Sequence, residues 1–167
     1  KFFAECYIDY LCFCAQPTTV DKTQDSPKQV LMFTQDGQWL FNAITAQQAT
    51  DHLTRLGNHY LTGLCSPIPL LIDSGWRYIQ ARFDEKTCQL VDDEKNVAKA
   101  LKAFKDRFDG GFMMSGERED AYIARSLQNN NFDSLSLEVQ NSMIDYAIEF
   151  LLPIRQLLEE IEEADDA

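Results

Sequence analysis

A mostly helical α+β fold is what this sequence predicts, and three observations predict it. Apolar residues recur at helical spacing through most of the chain, one β-rich stretch brackets Asp36-Gly37, and 167 residues is near the usual size of a domain. A chain of that length can bury roughly 70% of the surface its unfolded form exposes, enough for a core without staples. The expected architecture is a single domain of about six helices packed with one β-hairpin.

Residues 1–16, KFFAECYIDYLCFCAQ, read as a helix in which the polar positions Lys1, Glu5 and Asp9 recur every four residues while nearly everything else is apolar, so burial on most sides is expected. Residues 17–27, PTTVDKTQDSP, lack periodicity and read as a surface loop. Residues 29–44 carry two runs of Val, Leu, Phe and Trp around Asp36-Gly37, a dipeptide that tolerates the positive φ of a tight hairpin turn. Thr45 then opens TAQQ, a capping box, and Ala49, Leu53, Leu56, Tyr60 and Leu64 follow on one helical face, up to the break at Ser66, Pro67 and Pro69.

Asp73-Ser74 can cap a short helix with Trp76, Ile79 and Phe83 on a common face. Asp92 and Asp93 open the best-patterned helix, with Val97, Leu101, Phe104 and Phe108 along its apolar side and Gly110-Gly111 at its end. The stretch GGFMMSGEREDAYIARSL, residues 110–127, reads as a loop running into a short helix from Asp120, on which Tyr122 and Arg125 share a face. After NNNFDS a long helix is expected over residues 136–163, with Pro153 kinking it or beginning a new segment.

With 15 Lys and Arg against 27 Asp and Glu, the net charge of -12 repels phosphate backbones and anionic membranes, so the chain is not expected to grip nucleic acid by itself. Half of that excess lies in the tail, at Glu159, Glu160, Glu162, Glu163, Asp165 and Asp166, which reads as a frayed, solvated helix end. Cysteines 6, 12, 14, 65 and 88 show no repeated Cys-x-x-Cys spacing and suit reduced thiols in a cytosol. No apolar run reaches the length of a membrane span, so no membrane association is expected. Beginning abruptly at Lys1 without a polar lead-in, the chain reads as cut from something longer.

The chemistry-bearing patterns are sparse. His52 and His59 lie roughly 10 Å apart along one predicted helix, too far to share a zinc ion easily. No G-x-S-x-G elbow occurs, and GGFMMSG lacks both the Lys and the preceding strand of a phosphate-binding loop. The tripeptide Asp-Glu-Lys occurs at residues 84–86 and 93–95, which is the short half of a Mg²⁺-dependent nuclease site, but both copies fall at turns or helix starts rather than on strands. Trp39, Trp76 and the tyrosines could stack bases only beside a basic groove, and none is evident; core or subunit contact is the reading favoured for them.

Read in order, YIDYLCFCA, PIPLLIDSGWRYIQARFD, SGEREDAYIARSL and FLLPIRQLL, with the helix VDDEKNVAKALKAF and the F-D-G-G loop between them, resemble the C-terminal region of the RecC family. These are the gamma chains of bacterial exodeoxyribonuclease V, the RecBCD helicase–nuclease. The resemblance implies a fragment of a large subunit: residues 1–64 as the close of an inactive PD-(D/E)XK nuclease-like core and 65–167 as a helical extension. It implies a non-catalytic, cytoplasmic structural domain that supports assembly of the complex in double-strand break repair and recombination. RecB and RecD would be its partners, and DNA would be met only through the assembled complex. No cofactor belongs to the domain, since Mg²⁺ and ATP are used by the other subunits. Tyr122, Arg125 and Trp76 are the candidate partner contacts.

Active nucleases of that fold carry Gln-x-x-x-Tyr on the helix after the catalytic strands, and no Gln here has Tyr four places later. The chain departs from the family at Asp120-Ala121, where Asp-Pro is usual, and its acidic tail looks like an extension. The alternatives are a metal-dependent nuclease domain and a free-standing helical adaptor.

Overall fold

The computed structural model describes residues 2–16, 28–34, 37–111 and 114–161. The predicted loop at 17–27, the Gln35-Asp36 half of the hairpin turn, Phe112, Met113 and the end of the acidic tail lie outside these residues. The fold is α+β and mostly helical, with six α-helices and small antiparallel sheets among the described residues. Two compact units divide the chain: residues 1–67 with 154–167, and residues 68–153.

The first unit opens with α1 (Phe2–Ala15), followed by β1 (Lys28–Thr34), β2 (Gly37–Ile44) and α2 (Ala46–Cys65). In α1 the residues Tyr7, Tyr10, Leu11 and Cys14 are buried, a stripe at i, i+3, i+4 and i+7 that lies over the sheet. Tyr10 stacks on Phe41 of β2 with ring centroids 4.8 Å apart, Phe3 meets Trp39 edge-on at 5.1 Å, and the Tyr10 hydroxyl donates to the Asn42 carbonyl at 2.6 Å. Burial on most sides does not occur: Ile8, Cys12 and Phe13 are exposed, because one sheet and one helix cover only part of the α1 surface.

The hairpin forms where the sequence predicts it. β1 and β2 pair antiparallel with Thr34 opposite Gly37, and that pairing brings alternate residues to the core: Met32 and Phe41 are buried while Leu31 and Phe33 face outward. β2 is the middle strand, because β5 (Leu158–Ile161) pairs along its other edge with Leu158 opposite Phe41. The expected helix end over these residues is therefore a strand. The open edge of β2 offers its backbone groups a ladder, Leu158 is buried in the core, and the buried Arg155 guanidinium donates to the Leu158 carbonyl at 2.8 Å where the chain turns.

α2 begins with the capping box as read: the Gln48 N–H donates to Thr45 Oγ1 at 3.2 Å, and the Thr45 N–H donates to Gln48 Oε1 at 2.9 Å. Only Ala49 is buried in this helix, and Tyr60 and Leu64, assigned to the same apolar face by periodicity, are 68% and 67% exposed.

The second unit contains α3 (Ile72–Arg82), a two-residue ladder between β3 (Phe83–Asp84) and β4 (Gln89–Leu90), α4 (Glu94–Asp109), α5 (Ala121–Ser126) and α6 (Leu137–Leu157) as far as Pro153. α3 buries Ser74, Gly75, Tyr78, Ile79 and Arg82, leaving Trp76 and Phe83 half-buried beside that stripe. A side chain at Gly75 would meet the Ala147 Cβ and Leu151 Cδ1 of α6 at 2.8 Å, so the missing side chain lets the two helices approach. α4 buries Ala100, Phe104 and Phe108; Leu101, expected on that side, faces solvent because the stripe steps by four from Ala100. Phe132, inside the expected NNNFDS break, is buried against Phe104 and Phe108 at 5.4 and 6.1 Å. α6 continues through Pro153 as one helix, so the proline does not begin a new segment.

Candidate functional site

Residues 110, 111 and 114–127 form a hydrogen-bonded connector into a short helix. Gly110 ends α4 with φ 74°, and Gly111 and Met114 exchange backbone hydrogen bonds of 2.9 and 3.2 Å. Beyond them a 3-10 turn at Glu117–Glu119 turns its first carboxylate onto the start of α3. Glu117 accepts from the Asp73 N–H at 3.1 Å, the Ser74 N–H at 2.7 Å and the Ser74 hydroxyl at 2.5 Å. The cap expected from Asp73-Ser74 themselves is thus supplied in trans along the chain. Leu71 holds the cap position with no side-chain bond of its own, so two orphan N–H groups of the first turn take a carboxylate from elsewhere.

The Asp73 carboxylate is turned the other way, to Arg107 of α4 at 2.6 Å, and Arg107 also donates to the Ser115 carbonyl at 2.8 Å. Arg118 donates to the carbonyls of Asp109 and Asn129 at 3.3 and 3.0 Å. The partners of Arg107, Glu117 and Arg118 escaped the sequence reading, since each is found through the fold rather than at a fixed spacing.

This framework presents α5. Asp120 caps it by accepting from the Tyr122 N–H at 2.9 Å, in agreement with the helix start read there. Tyr122 is 84% exposed and Arg125 is also exposed, so their shared face does not pack on the described fold. Trp76 is on a different helix, α3, and half-buried.

Both Asp-Glu-Lys tripeptides have their aspartates occupied by local structure. Asp84 accepts from the Lys86 N–H and the Thr87 hydroxyl, each at 3.0 Å, closing the turn between β3 and β4. Asp93 caps α4, accepting from the Asn96 N–H at 2.9 Å. The Lys86 and Asn96 backbone N–H groups hold the respective carboxyls below the usual range, so each cap is charged at neutral pH and weakens only as pH falls into the acid range. Among the described residues no three His, Cys, Asp or Glu converge where a metal ion could be held. His52 instead takes Tyr7 and Arg55 as partners. No helix among the described residues is long and apolar enough to cross a membrane.

An α+β, mostly helical chain whose singled-out acids act as caps and whose α5 face stands open is the class these observations define. Residues 1–83, just under half of the chain, match the RecC C-terminal domain family. The chain is also similar to the RecBCD enzyme subunit RecC of Escherichia coli (strain K12), 25% identical over 148 residues, which is 89% of this chain and 12% of that protein. It therefore spans about one eighth of the length of the curated relative it matches. The 110–127 connector lies beyond the part matched by the family.

Proposed function

We propose that the chain is a non-catalytic structural domain of an exodeoxyribonuclease V gamma-type subunit, supporting assembly of a DNA helicase–nuclease complex in double-strand break repair and recombination. The observation that carries this reading is the alignment with RecC over 89% of the chain. Its partners in this reading are RecB- and RecD-type subunits in the cytoplasm, and the exposed Tyr122 and Arg125, with Trp76, are the contact residues. With a net charge of -12 it meets DNA only inside the complex, and the Mg²⁺ and ATP of the complex belong to other subunits. α1 with the β1–β2 hairpin is read as the close of an inactive PD-(D/E)XK core within residues 1–64, and residues 65–167 as a helical extension. The β5 strand, which returns to that hairpin from the far end of the chain, is an addition to this plan.

The turn role of Asp84 and the capping role of Asp93 support the reading that they do not act as catalysts, because a carboxylate satisfied by backbone N–H groups presents fewer lone pairs to a metal ion. Purified chain incubated with Mg²⁺ and linear duplex or single-stranded DNA is expected to leave the DNA intact. Degradation that disappears in Asp93→Asn or Lys95→Ala would show a metal-dependent nuclease instead.

A further inference from the structure

We infer that Tyr7, His52 and Arg55 form a proton-sensitive latch between α1 and α2, closed while the His52 imidazole is neutral and opened when it gains a proton. The inference stands on the first unit alone and is independent of the assembly reading. The Tyr7 hydroxyl of α1 lies 2.8 Å from His52 Nδ1 of α2, and Arg55 Nη2 lies 2.8 Å from the same nitrogen. A guanidinium only donates, so Nδ1 offers a lone pair, and the Tyr7 hydroxyl, facing the same lone pair, donates too. The ring proton is thereby assigned to Nε2. The Tyr7 and His52 rings meet edge to face, centroids 6.1 Å apart at 85°.

Protonation at Nδ1 puts a third donor where two donors already point. Tyr7 can turn its oxygen to accept, but Arg55 cannot, and its charge then faces an imidazolium. The ionisable groups acting on the ring are few. From α1 there is Tyr7, a buried phenol pushed up to about 12 by loss of water and so neutral throughout the relevant range. From α2 there are Arg55, which opposes the imidazolium, and Asp51, which favours it. β2, whose Phe41 neighbours Tyr7, carries no charged residue in Gly37–Ile44.

Burial first and Arg55 second hold His52 below the ordinary imidazole range, with Asp51 in partial opposition. A ring that is harder to protonate when docked than when free binds more protons in the open state. The latch therefore contributes fully above about pH 6.5, the ordinary imidazole value, and loses its contribution as pH falls from there through the lower value of the docked ring. What it holds is a helix with little other anchorage, since Ala49 is the one buried residue of α2.

The test uses the full chain of 167 residues. Ring-nitrogen NMR is expected to find His52 as the Nε2–H tautomer at neutral pH, with a titration midpoint below that of the same ring in denaturing urea. Spin labels on the exposed Cys12 of α1 and Cys65 of α2, after Cys6→Ser and Cys88→Ser, report the α1–α2 distance. The distance distribution should broaden over the pH range in which His52 titrates, and Tyr7→Phe with Arg55→Met should flatten that dependence. A midpoint at or above the urea value overturns the latch, as does a distance distribution that stays constant through the His52 titration. Both readouts need only the wild-type fold, so failure of the double variant to fold leaves the test decisive.

Discussion

Phe104→Ala is expected to destabilise the second unit by about 3–5 kcal/mol, the range for truncating a fully buried aromatic. Phe104 is fully buried on α4 and its ring contacts Phe108 at 6.4 Å and Phe132 at 5.4 Å, so truncation leaves a void lined by two rigid rings. Neither ring can turn into the space without losing its own contact. The chain has two tryptophans, Trp39 in the first unit and Trp76 in the second, so Trp39→Phe gives a background in which fluorescence reports unit two. Urea unfolding in that background should show the midpoint fall for Phe104→Ala. A change of less than about 1 kcal/mol, the size expected for an exposed site, would place the core of the unit elsewhere.

Gly110→Ala carries the second large effect, through the connector rather than the core. Gly110 has φ 74° and ψ -170°, a region nearly closed to residues with a side chain and costing of order 1–3 kcal/mol where it is forced. An added Cβ would also sit 2.3 Å from the Gly116 nitrogen and 2.8 Å from the Met114 carbonyl oxygen, and these are backbone atoms that cannot swing aside. Overpacking adds roughly 1–3 kcal/mol more, so a total of about 2–6 kcal/mol is expected. Gly116→Ala meets the same wall from the other side, with the Phe108 and Asp109 carbonyl oxygens at 2.5 and 2.6 Å. In both variants the Glu117 cap should loosen, which hydrogen exchange at the Asp73 and Ser74 amides reads directly. Unchanged protection at those amides would mean that the two glycines do not set the connector.

The parts of this fold that were legible in the sequence are those decided by neighbours in the chain. The Thr45–Gln48 box, the Asp93 and Asp120 caps, the Gly110 stop and the two-strand hairpin all rest on contacts a few residues apart, where residue type and spacing suffice. Features settled by distant partners were hidden. The acidic run at Leu158–Ile161 reads as helix by continuation from α6, yet the vacant edge of β2 turns it into a strand. Phe132 is surrounded by Asn, Asp and Ser, and only the rings of α4 explain its burial. Glu117 lies more than forty residues from the amides it caps, so no local pattern announces it.

The candidate site divides the same way. That Tyr122 and Arg125 share a face follows from their spacing, and that the face stays open follows from the fold. The proposed contact role rests on composition and support: an exposed tyrosine beside an arginine, two residue types enriched at binding hot spots, on a short helix whose base is braced by Arg107, Glu117 and Arg118. In that proposed role the bracing matters because binding through a preordered surface avoids the entropy of fixing it at the moment of contact.

The central claim is that the chain works by contact with the other subunits of a RecBCD-type complex, and the most direct measurement is its binding to RecB- and RecD-type subunits from the same genome by isothermal titration calorimetry. The account expects association with at least one of them, weakened at least about tenfold, or 1.4 kcal/mol, by Tyr122→Ala with Arg125→Glu while the thermal melt of the chain stays unchanged. Absence of binding to either subunit by a folded wild-type chain would contradict it.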